Sequence, residues 1–173
     1  MNSAPLAGYA DTSAGKLLDY LASNLYAGGG AHGVFMKTWS AGLAYSNGIR
    51  ERAASGRLNY YAERTPELPQ TLRFVIGELR RAGTPGPALV EYAIAESFTD
   101  TRAAATYEAR GEGMAADVAD GLPPDVIARF RRAILGLRQV RDLPGELQRR
   151  MLRVYGSVLP GLEGRADDVD IMY

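Results

Sequence analysis

Apolar residues recur at helical spacing along most of the chain and switch to alternation in one short stretch. The first amphipathic pattern begins at Ser13, whose hydroxyl can accept a hydrogen bond from the first helical turn. Its apolar face runs from Ala14 to Leu25, and the three glycines at 28–30 are predicted to end it, because glycine takes left-handed backbone angles without penalty. A short second helix is predicted over 32–40.

Between residues 43 and 63 the period of the pattern changes to two, which is typical of strands. One face of the first predicted strand contains Leu43, Tyr45, Asn47 and Ile49. A turn is predicted over 53–56, and a second strand follows it, so the segment reads as a β-hairpin. Tyr60 and Tyr61 point to opposite faces of that strand. We expect one of them in the core and the other free to line a cleft.

The rest of the chain reads as helices separated by proline and glycine breaks. One helix is predicted to start at Thr65-Pro66-Glu67, and the next runs from Pro87 to about residue 119 with an interruption near Gly111 and Gly113. Two more follow residue 124. The predicted fold is α/β of the α+β kind, a mainly antiparallel sheet covered by helices. It forms one domain over 1–173 that we expect to be incomplete at both ends.

The composition of the chain excludes several kinds of functional site. The 173 residues include 20 Lys+Arg and 20 Asp+Glu, so no basic excess points to nucleic acid. Cysteine is absent and His32 is the single histidine, which excludes thiolate nucleophiles, disulfides and a two-histidine zinc site within the chain. Neither a signal peptide nor a membrane span is predicted, and a cytoplasmic location is the default expectation.

Four segments carry a family resemblance: LYAGGGAHGVFMKTW over 25–39, GLAYSNG over 42–48, GRLNYYAERTPE over 56–67 and TLRFVIGEL over 71–79. Together they resemble the C-terminal half of pitrilysin/insulinase-type zinc metallopeptidases. The resemblance covers about residues 14–140, and residues 141–173 then read as a helical extension with a possible strand start. It implies a fold like that of the peptidase C-terminal half.

The resemblance also implies that the two halves of the peptidase contribute different residues to the active site. In this family the H-x-x-E-H zinc site lies in the other half, so we expect no metal or other cofactor in this chain and zinc only in a partner. The C-terminal half contributes a Tyr, matched by Tyr45, and an Arg, whose position is occupied by Thr38 with Lys37 one residue away. The candidate substrate-binding residues are therefore Tyr45, Gly28, Gly29, Gly30 and Lys37; no catalytic residue is assigned.

Three functions follow from these observations. The first is a non-catalytic half, like a processing-peptidase alpha-type subunit, that clamps extended peptides together with a catalytic H-x-x-E-H half and is inactive alone. The second is a degenerate structural or interaction protein that keeps the fold and binds a partner or a copy of itself. The third is a stand-alone hydrolase that uses His32 as a general base. None of them involves nucleic acid or a membrane.

Two further features receive structural interpretations. Phe35 and Trp39, one turn apart, are expected to be helix core facing the sheet. The aspartates at 167, 168 and 170 are expected to form a solvated turn, because they lack the twelve-residue pattern of a calcium loop.

Overall fold

The computed structural model describes the backbone of residues 1–100 and 106–162. Three strands and seven α-helices occur in that part of the chain. They are Asn2–Pro5 (β1), Ala14–Ser23 (α1), Val34–Ser40 (α2), Ser46–Arg52 (β2), Arg57–Glu63 (β3), Leu68–Arg81 (α3), Pro87–Asp100 (α4), Tyr107–Ala119 (α5), Pro124–Gly136 (α6) and Leu143–Gly156 (α7), with a 3₁₀ turn over Leu137–Gln139. The predicted α+β class is confirmed.

The sheet is antiparallel, with strand order β1-β3-β2. The predicted hairpin is confirmed, and its register pairs Ile49 with Tyr60 on the inner face and Gly48 with Tyr61 on the outer face. Tyr60 is buried, as is Leu58 on the same face. The strand β1 was not predicted, because four residues that end in proline carry no alternating pattern.

Helices cover the inner face of the sheet. One cluster of buried apolar residues extends from β1 through α1 and the inner sheet face to α6 and α7. The Phe130 ring of α6 meets the rings of Tyr20 and Tyr9 edge-on, with centroids 5.2 and 5.5 Å away. The outer face of the sheet carries mainly exposed polar side chains, as an antiparallel sheet covered on one face does. No helix in the described ranges is long and apolar enough to cross a membrane.

The first helix is shorter than its apolar pattern. It ends at Ser23, five residues before the first of the three glycines. The Ser23 hydroxyl and the Asn24 amide both donate to the Tyr20 carbonyl, at 2.7 and 3.1 Å, and so satisfy an end group of the helix. Ser13 precedes the helix as predicted, but its side chain makes no capping hydrogen bond.

Two other sequence predictions are wrong. Gly111 and Gly113 do not interrupt a helix: both lie inside α5, which Thr106 caps by accepting from the Ala109 N–H at 3.2 Å. Trp39 is not in the core but is 55% exposed, because α2 buries Val34 and Thr38 instead. The strand-like tail over 169–173 and the three aspartates lie outside the described residues.

Candidate functional site

An open cavity of about 520 Å³ lies beside β2, and we call it the β2 groove. The loop before α2, the strand β2 itself, one β3 side chain and one α4 side chain form its walls. Its lining residues are Tyr26, Gly28, Gly29, Phe35, Gly48, Ile49, Arg50, Glu51, Arg52, Tyr61 and Glu96.

The backbone of β2 is available on the groove side. Among the described strands, β2 lies at an edge of the sheet and pairs only with β3. Across the described ranges, no other backbone hydrogen bond reaches residues 46–52. Alternate N–H and C=O groups of an antiparallel edge strand point away from its partner, so the groove exposes a row of main-chain donors and acceptors.

The wall of the groove opposite β2 is the segment before α2, whose backbone conformation requires a glycine and a hydrogen bond from a tyrosine far away in the sequence. Gly28 has a φ of +74°, and a Cβ there would meet the Tyr92 hydroxyl at 3.1 Å. Gly29 has open space at its Cβ position. The buried Tyr155 hydroxyl accepts from the Tyr26 N–H at 2.9 Å and donates to the Ser23 carbonyl at 3.0 Å. Burial raises the pKa of Tyr155 well above its ordinary value, so this hydroxyl stays protonated.

Tyr61 reaches the groove across a glycine. A Cβ at Gly48 would lie 3.1 Å from the Tyr61 hydroxyl, so the ring can lie over this position only because it lacks a side chain. The guanidinium of Arg50 stacks over the same ring, 4.7 Å from its centroid. The expectation that one of the two adjacent tyrosines lines a cleft is confirmed for Tyr61.

Tyr45 is held outside the groove. The helix α2 ends in a Schellman motif in which Gly42 has a φ of +69° and the Leu43 N–H donates to the Thr38 carbonyl at 3.0 Å. The Leu43 carbonyl in turn accepts from Thr71 of α3 at 3.1 Å. Tyr45 lies two residues after Leu43, just before β2 begins, and is 70% exposed.

The position at which the resemblance expects an Arg is fully buried. The Thr38 hydroxyl donates to the Asn47 side-chain oxygen at 2.5 Å and lies within 3.0 Å of the Val34 carbonyl. The Asn47 amide donates onward to the Tyr60 hydroxyl at 3.4 Å. Thr38 therefore fastens α2 to the inner face of the sheet and has no route to the groove.

Lys37 and Gly30 also lie away from the lining. The Lys37 ammonium forms an ion pair with Glu78 of α3 at 2.8 Å and sits 5.9 Å from the centroid of the Tyr26 ring. Lys37 and then Arg81 hold the pKa of Glu78 below its ordinary value by donating to it. Gly30 lies against the ring of His32, which a Cβ at Gly30 would meet at 2.5 Å.

The ring of His32 packs against an aromatic side chain of α4. Its ring meets Tyr92 edge-on at 4.4 Å, and its Nε2 is buried with no hydrogen-bond partner in the described ranges. Burial, and secondarily the charge of Lys37, lowers the pKa of His32. The imidazole is therefore neutral at pH 7.

A second cavity, of about 190 Å³, lies between the end of β1 and α7. Its charged groups already have partners: Lys16 pairs with Asp11 at 2.6 Å, and Asp19 pairs with Arg150 at 2.8 Å and with Arg153. The β2 groove is the better candidate because, within the part of the chain that the structure describes, Arg50 and Arg52 form no ion pair and the outer edge of β2 has no backbone partner.

Sequence reasoning named two residues that line the β2 groove. Gly28 and Gly29 line the groove, while Tyr45, Gly30 and Lys37 do not. It missed Arg50, Arg52 and Glu96. The signal for the two arginines was their alternation along β2; Glu96 comes from a helix 44 residues after Arg52 and had no local signal.

The described ranges contain no group of three or more His, Cys, Asp or Glu side chains that could hold a metal ion. Comparison of the chain with protein-family models, with curated proteins and with solved structures gives no match. The functional conclusion therefore rests on the geometry of the β2 groove.

Proposed function

We propose that this chain is the non-catalytic half of a zinc peptidase and clamps an extended peptide in the β2 groove. The observation that carries the proposal is the edge of β2, a seven-residue strand that no second described strand pairs with, beside an open cavity lined by Gly28 and Gly29. An extended peptide adds to such an edge by main-chain hydrogen bonds, and its side chains alternate between the two sides.

The dimensions suit a short peptide segment. The groove follows Gly48 to Arg52, so about five peptide residues at roughly 3.3 Å each would occupy it. Tyr45 lies three residues before Gly48 in the sequence, in the bend that precedes β2. Its exposed hydroxyl is available to donate to a carbonyl beyond the groove, where the resemblance sets the scissile bond and the partner half's zinc.

A second candidate is the interaction protein without peptidase chemistry. The specific observation in its favour is Thr38, which is fully buried where a clamp of this family has its Arg. The same segment exposes Trp39 and Tyr45 at 55% and 70%, and these rings would then contact a partner or a second copy. This candidate needs no peptide in the β2 groove, which makes groove occupancy the test.

The test measures peptide affinity in a variant with a filled groove. Gly29→Leu places a side chain in the groove where a Cβ has open space, and Gly83→Leu makes the same change at an exposed site outside it. Binding of a labelled nine-residue peptide to the full chain is measured by fluorescence anisotropy. We expect Gly29→Leu to weaken binding at least about tenfold, because the leucine side chain occupies space that the peptide needs and a loss of about 1.4 kcal/mol of binding free energy is tenfold in Kd. Gly83→Leu should bind like the unsubstituted chain.

Melting temperatures of both variants accompany this measurement, so that loss of the fold is not read as loss of the site. Equal affinities of the two leucine variants would contradict the proposal. Absence of binding by every peptide in a mixed-sequence set would also contradict it and favour the interaction protein.

A further inference from the structure

Three arginines stand on the outer face of the sheet next to the groove. Arg50 and Arg52 alternate along β2, and Arg57 lies on β3. All three are exposed, and none forms an ion pair with a described carboxylate. Their described contacts are the Tyr61 ring under Arg50 and the Ser3 hydroxyl, which accepts from Arg57 at 3.1 Å.

This arrangement is electrostatically unfavourable by itself. Arg52 and Arg57 are direct cross-strand partners, and Arg50 is the next residue along the same face. Like charges directly opposite each other in a sheet repel. The nearest acid on this face of the hairpin is Glu63, at its far end opposite Ser46. An anion held between the arginines would relieve the repulsion.

The inner side of the groove has the opposite charge. Glu51 points to the inner face, and Glu96 of α4 lines the same cavity. A strand added to β2 would therefore place one set of alternate side chains beside Arg50 and Arg52, and the other set beside Ile49, Glu51 and Glu96. This asymmetry lets the groove distinguish peptides by the order of their charges.

We propose, as an extension of the proposed function on which it rests, that the β2 groove selects extended peptides with acidic residues at alternate positions. Alternate residues of any strand are roughly 6.6 Å apart, so two carboxylates separated by one residue match Arg50 and Arg52 one to one. The stacking of Arg50 on Tyr61 holds its guanidinium at the rim of the groove before the peptide arrives.

A single-stranded nucleic acid is the competing occupant, since arginines and an aromatic ring also suit phosphates and bases. The peptide is favoured for two reasons. A peptide offers alternating N–H donors and C=O acceptors that match the edge of β2, whereas a phosphate can only accept. A peptide with neutral residues between its acids also keeps its charges away from Glu51 and Glu96, which line the groove.

The test compares peptides of equal charge and different spacing. Three labelled nine-residue peptides of Thr and Gln carry no acid, two Glu separated by one residue, or two adjacent Glu. We expect the alternating peptide to bind about tenfold more tightly than the neutral one, with the adjacent pair in between, because only one of its carboxylates can face the arginines.

The double variant R50Q/R52Q should abolish this preference, so that the alternating and neutral peptides bind to it with equal affinity. The matched control R132Q/R141Q removes two exposed arginines outside the groove and should retain the preference. Equal affinity of the alternating and neutral peptides would overturn the charge preference while leaving the peptide groove intact. No binding by any peptide would overturn both. Tighter binding of a single-stranded oligonucleotide, lost in R50Q/R52Q, would also overturn the inference.

Discussion

At the scale of single residues, Thr38 holds two elements of the fold together. Thr38 is buried between α2 and β2 and bonds to Asn47. The sequence could not indicate this, because a threonine one turn after Val34 fits an exposed or a buried helix face equally well. Position 38 therefore holds a buried hydroxyl where a peptidase clamp of this family has a cation.

His32 illustrates a second limit. As the single histidine it was a candidate general base, whereas its ring contact with Tyr92 comes from α4, 60 residues later in the sequence. His32 is half-buried and its Nε2 has no hydrogen-bond partner in the described ranges, which favours the neutral imidazole because the charged form loses hydration. The consequence is a dependence of stability on pH that can be measured.

We expect the free energy of unfolding to fall as the pH drops from 7.5 to 5.5. The pKa of His32 is lowered in the folded chain, so below the ordinary value of 6.5 the unfolded chain binds a proton that the folded chain does not. His32→Phe keeps an aromatic ring against Tyr92 and should flatten this slope. Urea unfolding at three pH values measures it, and equal slopes in both chains would refute the assignment.

At the scale of elements, the sequence pattern predicted those helices and strands whose bounds depend on nearby residues. The hairpin, its inner and outer faces and the start of α4 at Pro87 follow from alternation and proline placement. The end of α1 did not follow, since Ser23 and Tyr26 are held by Tyr155, more than 120 residues away. The strand β1 was missed for a similar reason: it forms only by pairing with β3.

Tyr155→Phe should destabilise the chain by about 1–3 kcal/mol, because it leaves a buried N–H and a buried carbonyl without their hydrogen-bond partner. Both groups belong to the segment that leads into the groove. Tyr107→Phe, at a ring that is 91% exposed, is the matched control and should be neutral. Urea titration of the two variants compares them, and equal midpoints would show that Tyr155 does not hold this segment.

At the scale of the whole molecule, the sheet has two different edges. The strand β1 is four residues long, ends at Pro5 and donates the Asn2 amide to the Val158 carbonyl at 3.0 Å. The strand β2 is longer, borders the groove and carries the outer arginines. Short edges that contain proline resist strand addition, whereas β2 is seven residues long and contains no proline. Peptide binding is therefore expected at one edge only.

Amide hydrogen exchange along β2, measured residue by residue with and without the nine-residue peptide, tests this expectation most directly. Without peptide, the N–H groups that face the groove should exchange fast and those bonded to β3 slowly. Saturating peptide should slow exchange at the groove-facing amides between Gly48 and Arg52 and leave β1 unchanged. Unchanged exchange along β2, or protection that appears only at β1, would contradict a peptide clamp at this edge.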